Sequence, residues 1–221
     1  MPDPSPLGVV TPLRAAGYTV LPTPQQVELR GADVRLNEEW RIERIDIAGD
    51  DIAAAALIQG VRDTAGIELA ADGGSHPIQL SVRAGALNPP DEQLDAARAA
   101  QAYILDIAPE AIHITGNTPQ GLFFGVQTFL QLLKQDGAGR WILPHGVIRD
   151  WPAYELRICH WDTKHHQDRI ETLKRYLDWC ARFKVNMISL ELEDKFAYPS
   201  HPQIGQPAAL MMSHMERSLA N

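Results

Sequence analysis

The sequence predicts a mixed α/β fold, in which a small domain is followed by a strand–helix–strand segment. Short runs with period-two alternation of apolar residues are interspersed with two long amphipathic segments before Trp151. After Trp151, an apolar strand pattern, a long helical pattern and a second apolar strand pattern follow one another. The chain is 45% hydrophobic and 22% charged, as expected for a soluble protein that buries a core. We therefore expect helices packed on one face of a sheet, followed by a βαβ unit.

The N-terminal third predicts a flexible arm, short strands and one helix. Residues 1–18 contain several prolines and no clear periodicity, which predicts the arm. The helix spans residues 50–64, with Asp50 or Asp51 at its N-cap and Gly66 as its C-terminal stop. Strand patterns lie at residues 33–47, 78–82 and 103–107. Residues 91–100 are polar and predict a connection or a short helix.

The segment from Ala111 to Leu133 is the most informative part of the chain. Ile112 and Ile114 alternate with polar residues as in a strand, and Gly116 ends that pattern. Thr118 can cap a helix whose first turn contains Pro119. Five apolar residues then recur at helical spacing and predict a buried face, namely Leu122, Val126, Phe129, Leu130 and Leu133.

A domain boundary is predicted close to Trp151. Residues 136–140 predict a turn and residues 141–148 one further strand, after which Asp150-Trp151-Pro152 interrupts the pattern. The predicted domains are the arm at 1–18, a small α/β domain at 19–150 and a second segment at 151–221.

The second segment predicts one βα unit and the next strand. The strands are predicted at residues 155–161 and 186–192, with a helix at about 167–183 between them. Met187, Ile188 and Leu190 make the second strand strongly apolar, which predicts a buried parallel strand.

Three stretches resemble landmarks of glycoside hydrolase family 20, the β-N-acetylhexosaminidases. Residues 21–29 (LPTPQQVEL) resemble the opening of the small domain of that family, and residues 111–133 resemble its strand-turn-helix signature. Residues 148–152 (IRDWP) followed by 157–162 (RICHWD) resemble the beginning of its catalytic barrel. The resemblance implies that residues 151–221 begin a TIM (β/α)8 barrel. A whole barrel needs about 250 residues, so this segment is expected to be only its N-terminal part.

The same resemblance gives candidate substrate-binding residues, because barrel active sites lie at the carboxyl ends of the strands. The first strand ends in Asp162, with His165 shortly after it, and the second ends in Glu191, Glu193 and Asp194. Carboxylates accept hydrogen bonds from sugar hydroxyls, and Trp161 or Tyr198 could support a sugar ring. The alternative is that Asp162 caps a turn, Glu193 pairs with Lys195 and the histidines are exposed loop residues.

The chain also departs from the pattern of the family. An arginine usually follows the aspartate of the first strand, and here His165 occupies that position. The second strand of the family usually ends N-x-x-H-x-H-L-x-D, whereas this chain has Ser189 and Glu191 at the histidine positions. These departures predict a divergent branch.

The resemblance implies a retaining, substrate-assisted mechanism in which the 2-acetamido oxygen of the sugar attacks its own anomeric carbon. The acidic pair of such enzymes lies on a later barrel strand, so we expect it beyond Asn221 and assign no catalytic residue here. The 221-residue chain alone is expected to be inactive. Three alternatives stay open: a non-catalytic carbohydrate- or protein-binding module, a degenerate product with neither activity, and a family 84-like hexosaminidase, suggested by the turn at residues 193–196.

Composition excludes other classes of function. A net charge of -8 and the lack of a basic stripe argue against binding of nucleic acid. The sequence contains no run of about 18 apolar residues, which a membrane-spanning helix would need. The N-terminus has no basic head before an apolar run, so a cytoplasmic location is expected. His160, His165, His166 and Asp162 lack a helical H-E-x-x-H spacing, and we predict neither a metal nor a cofactor. The open edge of an incomplete barrel predicts a homo-oligomer.

Overall fold

The structure is a computed structural model that describes residues 11–47, 51–70, 73–89, 95–162, 169–206 and 209. The chain divides into two units, Met1–Glu155 and Leu156–Asn221. The predicted boundary at residue 150 lies shortly before this division.

The first unit contains four helices and nine strands within its described residues. In chain order these are α1 (Pro12–Ala15), β1 (Gln26–Leu29), β2 (Val34–Arg35), β3 (Trp40–Ile45), α2 (Ile52–Ala65), β4 (His76–Val82), α3 (Ala96–Ala100), β5 (Tyr103–Ile107), β6 (Ile112–Gly116), α4 (Pro119–Leu132), β7 (Lys134–Gln135), β8 (Trp141–Leu143) and β9 (Gly146–Asp150).

A mixed six-stranded sheet forms the centre of this unit, with strand order β1-β9-β5-β6-β4-β3. Strands β3, β4 and β6 are parallel, whereas β1, β9 and β5 pair antiparallel with their neighbours. A separate three-stranded sheet has the order β2-β8-β7. The fold class predicted for the small domain is confirmed.

Helices α2 and α4 cover one face of the large sheet. Register places Leu105 beside Ile114 and Ile114 beside Leu80, and all three side chains are fully buried. The helices contribute further fully buried side chains to the same cluster: Leu57, Val61, Leu122, Val126 and Phe129. The period of two in the strands and the helical period in α4 therefore point to one core, as predicted.

The helix ends follow the chemistry of their terminal residues. The Asp51 side chain accepts hydrogen bonds from the backbone N–H groups of Ala53 and Ala54, and Gly66 ends α2 with a left-handed φ of 68°. Thr118 caps α4 by accepting from the Gly121 N–H at 3.3 Å. The predicted N-caps of both helices and the predicted glycine stop of α2 are confirmed.

Two glycines let α4 approach the sheet closely. A Cβ atom on Gly121 would collide with the carbonyl oxygen of Ala102, and one on Gly125 would lie 2.7 Å from Ile114 Cγ2. The close packing of α4 on the sheet therefore requires glycine at both positions.

The arm predicted at residues 1–18 differs from the structure in its described part. Residues 11–18 contain helix α1, in which Leu13 is buried, and Tyr18 just after it is also buried. Lys134 holds this segment by donating to the carbonyl oxygen of Ala16 at 3.0 Å and by lying 3.6 Å from the centroid of the Tyr18 ring. Burial of the apolar side chains therefore orders this segment, although it follows a proline-rich stretch of sequence.

The single strand predicted at residues 141–148 is two strands. Strand β8 pairs with β2 and β7 in the small sheet, whereas β9 pairs with β1 and β5 in the large one. Pro144 lies between them and has no N–H to donate to a ladder, so the chain changes sheets at this point.

The second unit contains β10 (Ile158–Asp162), α5 (Ile170–Arg182), β11 (Met187–Glu191) and a short 3-10 helix (Glu193–Lys195). Strands β10 and β11 are parallel, as predicted. Helix α5 buries Leu173 and Cys180 and exposes Asp178. The strand predicted to be buried is only partly buried here: Met187 is 44% exposed, because among the described residues a helix covers only one face of this strand.

No helix among the described residues combines the length and the apolar composition that a membrane crossing needs.

Candidate functional site

The carboxyl ends of β10 and β11 bring several predicted site residues together. Parallel register places His160 beside Ser189 and Asp162 beside Glu191. Side chains alternate between the two faces of a strand, so these four residues share one face of the two-stranded sheet. We call His160, Asp162, Ser189 and Glu191 the strand-end cluster.

An imidazole bridges the two strands within this cluster. His160 Nε2 lies 3.1 Å from Glu191 Oε2, and His160 Nδ1 lies 3.3 Å from Ser189 Oγ. The carboxylate of Glu191 is thus fixed by a group on the neighbouring strand. A carboxylate held in this way is preorganised to accept a hydrogen bond from a polyhydroxylated ligand.

The opposite face of the two strands packs against helix α5. Trp161 meets Tyr176 edge to face, with ring centroids 3.9 Å apart. Burial raises the pKa of the Cys180 thiol, and the neighbouring Cys159 raises it further. Trp161 therefore packs against the helix. This position differs from the one expected of a residue that supports a sugar ring.

Glu193 and Asp194 follow β11 in the 3-10 helix. The Asp194 carboxylate accepts from Lys195 Nζ at 2.8 Å, and the same ammonium group donates to Gln206 Oε1 at 3.2 Å. Lys195 therefore pairs with Asp194, and not with Glu193 as the alternative interpretation of the sequence predicted. Glu193 has a positive φ of 43°.

The remaining predicted residues complete this description. His165 lies outside the described residues. The Tyr198 ring packs edge to face on Phe196, with centroids 5.0 Å apart, in a small cluster with Leu173. Among the described residues, no group of three or more His, Cys, Asp or Glu side chains is placed to hold a metal ion.

His160 and Ser189 are not among the substrate-binding residues predicted from the sequence. Their signal is the register of the two strands, which pairs residue 160 with residue 189 across 29 positions of sequence. Asn186 fixes this register at the other end of the strands. Its side-chain oxygen accepts from the backbone N–H of Arg157 at 2.8 Å, and its own backbone N–H donates to the Arg157 carbonyl at 3.1 Å.

A parallel strand-helix-strand unit with polar side chains at the carboxyl ends of its strands is typical of α/β-barrel enzymes. Comparison with known proteins narrows this class. The family model described as glycosyl hydrolase family 20, domain 2, matches residues 17–151. The chain therefore belongs to glycoside hydrolase family 20.

Individual relatives agree with the family match. A β-hexosaminidase of Porphyromonas gingivalis is 25% identical over 190 residues, which are 82% of this chain and 23% of the relative. One from Akkermansia muciniphila is 30% identical over 112 residues, which are 49% of this chain and 23% of the relative. This chain thus spans about a quarter of the length of these relatives.

Solved structures show the same likeness in three dimensions. The N-acetyl-β-hexosaminidase of Streptomyces plicatus, solved in complex with Thio-NAglucal, superimposes with a TM-score of 0.72 at 26% identity. The match covers 95% of this chain and 44% of the Streptomyces chain.

Proposed function

We propose that this chain is part of a β-N-acetylhexosaminidase, a glycoside hydrolase that removes terminal N-acetylhexosamine residues. The strand-end cluster is the observation that carries the proposal within the chain, since it gathers acceptor groups where a family barrel would bind its sugar. The family match at residues 17–151 supports the same class of enzyme.

Substrate binding is the role we assign to the acidic residues of the second unit. Asp162 and Glu191 lie side by side at the ends of β10 and β11 and would accept hydrogen bonds from sugar hydroxyls. The Asp194 carboxylate is held in place by the hydrogen bond from Lys195 Nζ at 2.8 Å. Glu193 and His165 follow the same strand ends in sequence and complete the proposed set.

The chemical step that we propose is substrate-assisted hydrolysis with retention of anomeric configuration. The acetamido oxygen of the sugar attacks the anomeric carbon as an acidic residue protonates the leaving oxygen, and water then opens the cyclic intermediate. No residue of this chain is assigned to the acid or to its partner. The chain spans less than half of its relatives, so we expect both groups to lie on other barrel strands.

Hydrolysis of a chromogenic N-acetyl-β-D-glucosaminide by the natural protein tests this proposal. We expect turnover of the N-acetyl substrate and none of the corresponding simple glucoside, because the glucoside lacks the acetamido nucleophile. Proton NMR of the first product should show the β-anomer. Equal rates on both glycosides, or an α-anomeric first product, would contradict the mechanism.

The 221-residue chain by itself should show no turnover, because we place the acidic pair elsewhere.

A cytoplasmic location and a homo-oligomeric state stay predictions. Sedimentation of the purified chain tests the second of these.

A further inference from the structure

The first unit contains an open groove. Its residues are not part of the strand-end cluster, which belongs to the second unit, and they have no role in the reaction proposed above. It has a volume of about 480 Å³, within the range of small-molecule sites. The buried side chains of Leu36 and Ile67 line it, together with the partly exposed indole of Trp141. We call it the Trp141 groove.

Charged side chains surround these apolar residues, some without an ion-pair partner among the described residues and some already hydrogen-bonded to a neighbour. Arg35 and Glu38 are exposed, and neither forms an ion pair with another described residue. Arg140 and Glu39 also line the groove, but their charges are already engaged. Arg140 Nε donates to the Asp136 carboxylate at 2.8 Å, and Glu39 Oε2 accepts from the Asn37 side-chain amide at 2.9 Å.

Both sides of the groove are held in place before any ligand arrives. On one side, Asp136 Oδ1 accepts from the backbone N–H groups of Ala138 and Arg140, each at 2.9 Å. On the other side, Asn37 Oδ1 accepts from the Glu39 N–H at 3.1 Å. Leu36 links the two by donating its N–H to the Trp141 carbonyl at 2.9 Å. Such preorganisation lowers the entropic cost of binding.

The charges select the class of ligand. One guanidinium and one carboxylate, each without an ion-pair partner in the described part of the chain, leave the groove nearly neutral, which disfavours phosphates and nucleic acid. A neutral sugar offers hydroxyls to the carboxylate and acceptor oxygens to the guanidinium, while its apolar ring face packs on an aromatic ring. An apolar interior with hydroxyl-binding groups around it therefore fits a saccharide.

We propose that the Trp141 groove is a second carbohydrate-binding site, which takes one or two neutral N-acetylhexosamine units of an oligosaccharide. The choice of N-acetylhexosamine rests on the proposed function; the choice of a neutral sugar rests on the groove alone. Such a site would hold a glycan chain on the small domain independently of turnover.

Titration of the 221-residue chain with N,N′-diacetylchitobiose, followed by NMR of the tryptophan indole N–H signals, tests this site. The chain has five tryptophans, and Trp141→Phe assigns the relevant signal. We expect the Trp141 signal to shift with a dissociation constant on the order of millimolar. Arg35→Ala and Glu38→Gln should each weaken binding about fivefold, the effect of one lost hydrogen bond. Inorganic phosphate should leave the signal unchanged.

Matched controls separate the groove from the strand-end cluster. Arg44→Ala and Glu110→Gln change exposed residues of the same unit outside the groove, and both should bind like the parent chain. Asp162→Asn with Glu191→Gln should also leave the Trp141 shift intact. A titration without a Trp141 shift, a shift lost only in the Asp162 and Glu191 variant, or stronger binding of phosphate would each overturn the proposal.

This test is independent of catalysis. If the natural protein fails to hydrolyse N-acetylglucosaminides but diacetylchitobiose still shifts Trp141, the proposed function fails and the groove stands. If hydrolysis occurs and the Trp141 signal does not move, the groove fails and the proposed function stands.

Discussion

At the scale of single residues, a buried polar network joins three parts of the first unit. The Tyr103 hydroxyl donates to Asp150 Oδ2 at 2.7 Å and lies 2.5 Å from Thr128 Oγ1. The other Asp150 oxygen accepts from the Gln25 N–H at 3.2 Å. Burial raises the pKa of Tyr103 well above its usual value, and the Asp150 charge adds to the shift. The phenol therefore stays protonated and acts as a donor.

Tyr103→Phe should lower the free energy of unfolding of the first unit by about 1–3 kcal/mol, because the buried Asp150 carboxylate loses a donor. Urea denaturation followed by circular dichroism measures this change. Tyr198→Phe is the control, since the Tyr198 hydroxyl has no hydrogen bond to another described residue, and its midpoint should match that of the parent chain. Equal midpoints for both variants would contradict the assignment.

The turn beside the Trp141 groove contains a carboxyl group whose pKa is lowered by its neighbours. The Arg140 guanidinium, followed by the Arg140 backbone N–H, holds the pKa of Asp136 below its usual value of 3.8. A lowered pKa means that the charged form stabilises the turn. This contribution is complete well above pH 3.8 and is lost as the pH falls through the pKa of the folded state.

Carbon-detected NMR titration of the Asp136 carboxyl group measures this effect. The parent chain should titrate below the usual value, and Arg140→Ala should raise the pKa towards it. An Asp136 pKa that does not respond to Arg140→Ala would show that the guanidinium has no influence.

Residue identity alone could not predict the strand-end cluster. The apolar patterns predict that Asp162 and Glu191 lie at strand ends, and the family resemblance makes those strand ends candidate binding positions. The contact of His160 with Ser189 and Glu191 depends on the exact register of β10 against β11, and a slip of one residue would turn His160 to the other face. Local sequence carries little information about such a register.

At the scale of elements, the fit of α4 to the sheet depends on its glycines. Gly121→Ala would place a Cβ atom against the carbonyl oxygen of Ala102, at the start of β5. Because backbone cannot yield as a flexible side chain can, we expect a loss of about 1–3 kcal/mol in the free energy of unfolding.

Gly137→Ala is the matched control for this change. A Cβ atom at Gly137 would meet no heavy atom within 4 Å, and Gly137 does not have a positive φ. Urea denaturation of both variants should show a lower midpoint for Gly121→Ala only. A parental midpoint for Gly121→Ala would mean that α4 can shift without cost.

Elements with strong local signals were predictable, and those decided by distant partners were not. Helix α4 has its own cap, glycines and apolar face, and the structure confirms each of them. The division of residues 141–148 into β8 and β9 depends on which strands accept them, namely β2 and β7 for one and β1 and β5 for the other. Helix α1 likewise depends on a core formed by residues far along the chain.

At the scale of the whole molecule, the first unit contains a complete core of its own. The main hydrophobic cluster runs from Leu13 to Ile148, and all its members lie in this unit. We therefore expect residues 11–155 to fold alone. A dispersed amide NMR spectrum that overlays on the signals of the same residues in the 221-residue chain would confirm this. A collapsed spectrum would show that the first unit needs the remainder of the chain.

We propose that the ends of β10 and β11 bind the sugar in a β-N-acetylhexosaminidase. The most direct test is kcat/KM for a chromogenic N-acetylglucosaminide, measured on the natural protein and on its Asp162→Asn and Glu191→Gln variants. We predict a drop of about tenfold or more for each, the effect of losing a charged hydrogen bond to the substrate. Asp178→Asn, on the exposed face of α5, is the control and should match the parent. Unchanged kcat/KM in both site variants, with a folded protein, would contradict the claim.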